Sequence, residues 1–275
     1  MYFASENCDK TGAVYRMNNW QLENVCEKGE NFYCHQIFEH NGELRAIFNY
    51  HNGNREIYTY LWGSPNGDLG TWRELAILNN PLNFRAKAVC SWKGEVYGAG
   101  YLRDDPSGRQ AGILVKQNGS AFDTIHIAEG YPFDGLYASD KGLLLGGYAK
   151  ASIWLYRGSP APICVFERPG WWSIERFTKV GNFYYAGGEG ERCAVVLRSS
   201  DAVNWTQYKD LHGNAEVRGM CPWVDKHSIE QLAVVCGRSG SDNAWIHDPG
   251  MGTWQVIGFP GETTSSYFSC GVSSN

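Results

Sequence analysis

The sequence predicts an all-β protein made of repeated four-stranded sheets, and three observations lead there. The 275 residues include 33 glycines, with 14% aromatic and only 19% charged side chains, a balance that suits strands joined by tight turns. The apolar runs are short and end in glycine or polar clusters. They also recur as a unit with a period of roughly 40–50 residues.

The repeat is read by aligning runs. After the N-terminal stretch, each unit opens on a strand a: "FYCHQIFEH" (32–40), "FRAKAVCSW" (84–92), "FDGLYASD" (133–140), "SIERFTKV" (173–180) and "VRGMCPWV" (217–224). A strand b follows, its apolar residues leading into small ones: "LRAIFNYHNG" (44–53), "GEVYGAGYL" (94–102), "GLLLGGYA" (142–149), "GNFYYAGGE" (181–189) and "EQLAVVCGRS" (230–239). Gly42, Gly94, Gly142 and Gly181 stand where a short hairpin between a and b needs a positive φ. Strand c is "EIYTYLW" (56–62), "GILVKQ" (112–117), "SIWLYRG" (152–158), "CAVVLRSS" (193–200) and "NAWIHDP" (243–249). Strand d carries an aromatic near its start, as in "TWRELAIL", "AFDTIHIA", "CVFERPG", "NWTQYKDL" and "TWQVIGF".

The N-terminal unit has "YFASEN" (2–7), "AVYRM" (13–17) and "NWQLENV" but no strand a, and the C-terminus has a spare strand, "TSSYFSCGV" (264–272). Pairing the two ends completes a sixth sheet. The fold expected is therefore a single six-bladed β-propeller of four-stranded antiparallel blades, its ring closed by the N- and C-terminal strands. The blades are expected at 264–275 plus 1–30, 31–81, 82–130, 131–170, 171–214 and 215–263. Sheets covered on both faces explain strands that read as continuous apolar runs.

Turn chemistry between strands c and d adds a motif. In "LRSSDAVNWTQ" (197–207) Asp201 precedes Trp205 by four residues, and "SPNGDLGTW" (64–72) and "HDPGMGTW" (247–254) place Asp68 before Trp72 and Asp248 before Trp254. An aspartate here can accept hydrogen bonds from the backbone N–H groups of its own turn. The tryptophan can fold under the blade as an apolar anchor. The pattern resembles the Asp-box of sialidase-like (BNR-repeat) propellers, loosely S-x-D-x-G-x-T-W, in degenerate form. The resemblance implies that these residues are structural and lie on the face opposite the ligand site, so Asp201 is read as a turn clamp.

Ligand residues are expected from the d–a loops and strand-a starts: Tyr33, Arg85, Phe133, Asp134, Trp171, Trp172 and Arg218. Rings beside Asn, Asp and Arg suit a sugar, stacking on its apolar face while polar groups take its hydroxyls. The sialidase resemblance would imply an arginine cluster, for which Arg85, Arg176 and Arg218 are placed, but the Arg-Ile-Pro type motif of sialidases is missing. Resemblance to inverting glycosidases built on five-bladed propellers implies a carboxylate set, for which Asp134, Glu175 and Glu216 stand at inner-strand starts.

No complete catalytic set is legible, so non-enzymatic recognition of a surface glycan or receptor is the first expectation. A glycoside hydrolase and a structural assembly subunit are the alternatives. A net charge of −5 without a basic block argues against nucleic acid, and no run of 18 apolar residues suggests membrane insertion. The N-terminus lacks the pattern of a signal peptide. Together with the loop composition, this leads to the expectation of cytoplasmic synthesis and a virion setting such as a phage spike, tail or fibre, with other assembly subunits as partners. No metal or cofactor is expected, since no CxxC pair occurs and the adjacent Asp104 and Asp105 do not form an oxygen cage. The nine cysteines mostly fall in apolar runs and are expected as buried thiols.

Overall fold

The computed structural model describes residues 2–6, 11–18, 21–51, 57–78, 84–102, 111–212, 215–225, 227–237 and 243–258. Every regular element among them is a strand, and the strands form six antiparallel sheets. The first sheet has β1 (Tyr2–Glu6), β2 (Thr11–Asn18) and β3 (Gln21–Glu30). The second has β4 (Phe32–His40), β5 (Glu43–His51), β6 (Ile57–Ser64) and β7 (Arg73–Leu78). The third comprises β8 (Phe84–Trp92), β9 (Glu95–Leu102), β10 (Ala111–Asn118) and β11 (Ala121–Ala128).

The fourth sheet consists of β12 (Phe133–Ser139), β13 (Gly142–Gly147), β14 (Ala151–Tyr156) and β15 (Ile163–Arg168). The fifth is β16 (Ser173–Val180), β17 (Phe183–Glu189), β18 (Ala194–Ser199) and β19 (Thr206–Leu211). The sixth is β20 (Glu216–Val224), β21 (Glu230–Gly237), β22 (Asn243–Asp248) and β23 (Thr253–Gly258). In each sheet the strands pair in sequence order, the up-and-down meander of a propeller blade. The fold is the six-bladed β-propeller expected. The closing strand at 264–272 lies outside the described residues.

The hairpins form where the sequence supplies the turn. Asn41 and Gly42 take φ of 53° and 77°, and Lys93 and Gly94 repeat those angles. Both central residues then have positive φ, as the primed turns that match strand twist require.

The described residues divide into two compact units between Phe133 and Asp134. In the first unit, one core joins Val14, Val25, Cys34, Ala46 and Phe48, and a second joins Ile47, Leu61, Phe84, Val89 and Ile113. In the second unit, one core gathers Leu144, Ile153, Ile174, Phe177 and Tyr184, and the other gathers Tyr185, Val196, Val217, Met220 and Leu232. Neighbouring residues of one strand thus serve opposite cores: Ile47 and Phe48 on β5, Tyr184 and Tyr185 on β17. Period-two alternation delivers them to opposite faces, and both faces are covered. Of the cysteines described, Cys26, Cys34, Cys90, Cys193 and Cys236 are buried free thiols, whereas Cys164 is exposed and Cys221 partly so.

Several first strands carry a β-bulge near the start. The register between β4 and β5 shifts around His35, and that between β8 and β9 around Lys87. The same shift occurs around Glu175 between β16 and β17, and around Arg218 between β20 and β21. One extra residue is therefore left out of the ladder at an equivalent place, which re-aims its side chain.

Candidate functional site

In the second unit three acids from three sheets lie close enough for the charges of two, Asp134 and Glu216, to act on the third, Glu175. Asp134 is the second residue of β12, Glu175 the third of β16 and Glu216 the first of β20. Close approach of the strands depends on glycine. A Cβ on Gly135, next to Asp134, would stand 2.3 Å from the carbonyl oxygen of Glu175. One on Gly188 of β17 would stand 2.0 Å from the carbonyl oxygen of Ser173, and one on Gly146 of β13 the same distance from that of Ile174. No side chain fits there, so the Ser173–Glu175 backbone is enclosed by bare main chain from three strands.

Glu175 is 7% exposed. Burial raises its pKa above the ordinary carboxylate value; the charge of Asp134 raises it too, Arg176 pulls it down, and Glu216 adds to the rise. Ser173 donates its hydroxyl to Glu175 Oε1 at 2.7 Å. Glu216 is ion-paired with Arg218, two residues along the same bulged strand. Both contacts join residues i and i+2, which share one face of a strand. Arg176, the next residue after Glu175, donates from Nε to the main-chain carbonyl of Arg218 at 2.8 Å.

Aromatic residues stand at the start of β16. Trp172 is 53% exposed, and its N–H bonds the carbonyl of Glu189 at 2.9 Å. Tyr148, 37% exposed, forms an isolated bridge to Ser173. Trp171 turns inward, its ring 6.3 Å from that of Phe166, with the Arg168 guanidinium 5.5 Å from its centroid. Of the two adjacent tryptophans Trp172 is the more exposed, Trp171 being partly buried.

Phe133 corrects the sequence expectation. Its ring is wholly buried, and a Cβ on Gly112 would meet it at 2.8 Å, so it packs in the fold and has no face for a ligand. Tyr33 and Arg85 belong to the first unit, on β4 and β8, with Arg85 Nη1 donating to the Tyr101 hydroxyl at 3.3 Å. The structure thus groups Asp134, Glu175, Glu216, Arg176 and Arg218, and with them Ser173 and Tyr148. Tyr148 belongs to a loop, 148–150, that the sequence places on the ligand face, whereas Ser173 carried no sequence signal: a serine at a strand start is ordinary until its hydroxyl is seen on an acid.

The three c–d turns differ. Asp201 Oδ1 accepts from the backbone N–H of Val203 at 2.9 Å and of Asn204 at 2.8 Å, and from the Ser199 hydroxyl. These bonds hold its carboxyl below the usual range. Trp205 is buried against Phe177 and donates from Nε1 to the Ala202 carbonyl at 3.2 Å. Asp248 accepts from the N–H of Gly250 and Met251 at 2.8 and 3.0 Å, and Trp254 stacks on His247 with centroids 4.4 Å apart. At the third turn the Ser64 hydroxyl takes the Gly67 N–H at 2.7 Å instead. Asp68 pairs with Arg16 and accepts from the Asn66 side chain. Its carboxylate is therefore not a clamp of its own backbone, because Ser64, Asn66 and Thr71 already fill that role.

No family of known sequences matches the chain, and no curated protein resembles it in sequence. Solved structures do resemble it in fold. An α-L-arabinofuranosidase from Lactobacillus brevis superposes with a TM-score of 0.50 at 11% identity, over 92% of this chain and 88% of that one. An acylaminoacyl peptidase from Pyrococcus horikoshii gives 0.56 at 12% identity, over 93% of this chain and 42% of the peptidase. A prolyl endopeptidase gives 0.55 at 10%, over 92% of this chain and 40% of that protein. The chain spans about two fifths of the length of these peptidases. At such identities the likeness is one of fold.

Proposed function

We propose that the protein is a glycoside hydrolase whose reaction is carried by Asp134, Glu175 and Glu216. The observation that carries this reading is the protonation bias at Glu175: a carboxyl that burial and two neighbouring acids push toward its neutral form at the start of an inner strand. A carboxyl whose pKa is raised above the ordinary carboxylate value holds its proton more readily, as a group that protonates a leaving glycosidic oxygen must. Two further groups supply the rest. Glu216, ion-paired with Arg218, contributes negative charge that adds to the rise in the Glu175 pKa. To Asp134, which is partly exposed, the reading assigns the role of taking a proton from the attacking water.

Trp172 favours a sugar substrate. Its ring is exposed in the residue before Ser173, at the same strand start as the acid. A pyranose or furanose can lay its C–H face on such a ring while its hydroxyls reach polar groups. The likeness to an arabinofuranosidase adds a scaffold on which glycoside chemistry is run, and this is analogy of fold. The non-enzymatic glycan reading has the same platform but leaves the biased carboxyl without a use.

The test is a panel of plant, bacterial and host polysaccharides followed for release of reducing sugar. The reading predicts turnover of at least one, lost by about 10²-fold or more in Asp134→Asn and weakened in binding in Trp172→Ala. Saturable binding with no product from any of them would return the protein to glycan recognition.

A further inference from the structure

We propose that Ser173 is a positioning residue that fixes which oxygen of Glu175 carries the transferable proton. This rests on the hydrolase reading for its catalytic meaning, although the contact itself stands without it. The Ser173 hydroxyl donates to Oε1 at 2.7 Å. An oxygen that accepts this bond is the poorer site for a proton, so in the neutral acid the proton resides on Oε2. Without the serine the two oxygens become equivalent, and the buried carboxyl can rotate to present the wrong one.

Ser173 is built to hold that orientation. It is fully buried, so no solvent competes for its hydroxyl. Its backbone is fixed by three contacts: pairing with Glu189 on β17, the bridge to Tyr148, and the bare main chain of Gly188 beneath its carbonyl. Ser173 and Glu175 are two residues apart on one strand, so their side chains share a face and the hydroxyl lies within reach of the acid.

The hydroxyl also sets the level of the proton. The charged and polar groups around Glu175 are Asp134 from β12, Arg176 on its own strand, and Glu216 with its partner Arg218 from β20. Burial and the two acids favour the neutral form; Arg176 and the Ser173 hydroxyl favour the anion. Ser173 therefore keeps the acid from binding its proton too tightly to give it up, which is the balance a general acid requires.

The experiment uses the full chain with carbon-13 in the glutamate carboxyl groups, Glu175 being assigned by its loss in Glu175→Gln. The Glu175 titration is followed by NMR in wild type, Ser173→Ala and Ser173→Thr. Loss of the hydroxyl is expected to raise the titration midpoint by about one pH unit, and Ser173→Thr, which keeps a donor, to restore it. The alkaline limb of kcat/KM is expected to move the same way while KM stays nearly constant. An unchanged midpoint in Ser173→Ala, with the variant folded by circular dichroism, overturns the proposal whatever the activity. A shifted midpoint together with an alkaline limb that does not move also overturns the catalytic role. A shifted midpoint in a protein that hydrolyses nothing upholds the coupling of Ser173 to Glu175 and refutes the hydrolase reading alone.

Discussion

Arg176 donates from Nε to the main-chain carbonyl of Arg218 at 2.8 Å, and this bond ties the bulge of β16 to the bulge of β20. One strand offers the acid, Glu175; the other offers Glu216 and its partner Arg218. The latch holds the two bulged strands in register with each other, so the geometry of the carboxylate group depends on a residue adjacent to it in sequence. Arg176→Met removes the donor and a positive charge while keeping the stem. It is expected to destabilise the fold by about 1–3 kcal/mol in urea titration and to raise the midpoint of Glu175 further, since Arg176 opposes that rise.

Glycine sets the spacing of the same group. Gly135→Ala would force its Cβ to within 2.3 Å of the Glu175 carbonyl oxygen, a contact with backbone that cannot swing away. The expected cost is about 1–3 kcal/mol in stability. Activity should fall by more than global destabilisation explains, because Asp134 and Glu175 are pushed apart. Thermal melting and kcat, measured on the same preparation, check both.

Asp201 makes the fold sensitive to acid. Its folded pKa is depressed, first by the Asn204 and Val203 N–H groups and then by the Asn204 and Ser199 side chains. A depressed carboxyl contributes stability that is fully present above the unfolded value near 3.9 and is lost as pH falls through the folded one. In Asp201→Asn the turn geometry is largely kept and the charge is gone. Between pH 5 and pH 2 its stability is therefore expected to fall less steeply than that of wild type, which denaturant titrations across that range would read.

His247 acts at milder acidity. It is fully buried, its Nδ1 bonds the Thr253 carbonyl at 2.9 Å, and its Nε2 meets the Tyr208 hydroxyl at 3.0 Å. Because a carbonyl only accepts, Nδ1 carries the hydrogen; in the neutral ring Nε2 then accepts from the Tyr208 hydroxyl. Burial depresses its pKa. The sign follows as for Asp201: stability is full above the unfolded value near 6.5 and declines as pH drops below it. His247→Gln should flatten that decline in melting temperatures measured from pH 7.5 to 5.

Much of the fold was legible because its determinants are local. Asn41–Gly42 and Lys93–Gly94 name their own turns, and the apolar runs with Ile47 and Phe48, or Tyr184 and Tyr185, declare sheets covered on both faces. The carboxylates Asp134, Glu175 and Glu216 were legible as residues at strand starts. Their mutual influence was not, since it depends on how strands of three different sheets pack, which leaves no signature in one strand alone. The same limit explains Phe133 and Trp171. An aromatic at a strand start reads alike whether it faces a core or a ligand, and only packing against Gly112 or Phe166 decides. Asp68 keeps a structural role by other contacts for a related reason: a turn with several polar residues can be clamped by any of them, and here Ser64 takes the backbone N–H while Asp68 pairs with Arg16.

The central claim is that Glu175 delivers a proton to a leaving glycosidic oxygen, and its most direct test compares two substrates of one sugar in wild type and Glu175→Gln. One substrate is the natural glycoside, whose leaving group needs protonation; the other is its 2,4-dinitrophenyl glycoside, whose leaving group does not. The account predicts that Glu175→Gln loses about 10²–10⁴-fold in kcat/KM on the first and stays within about tenfold of wild type on the second. Equal losses on both, or unchanged turnover of the natural glycoside, would contradict it.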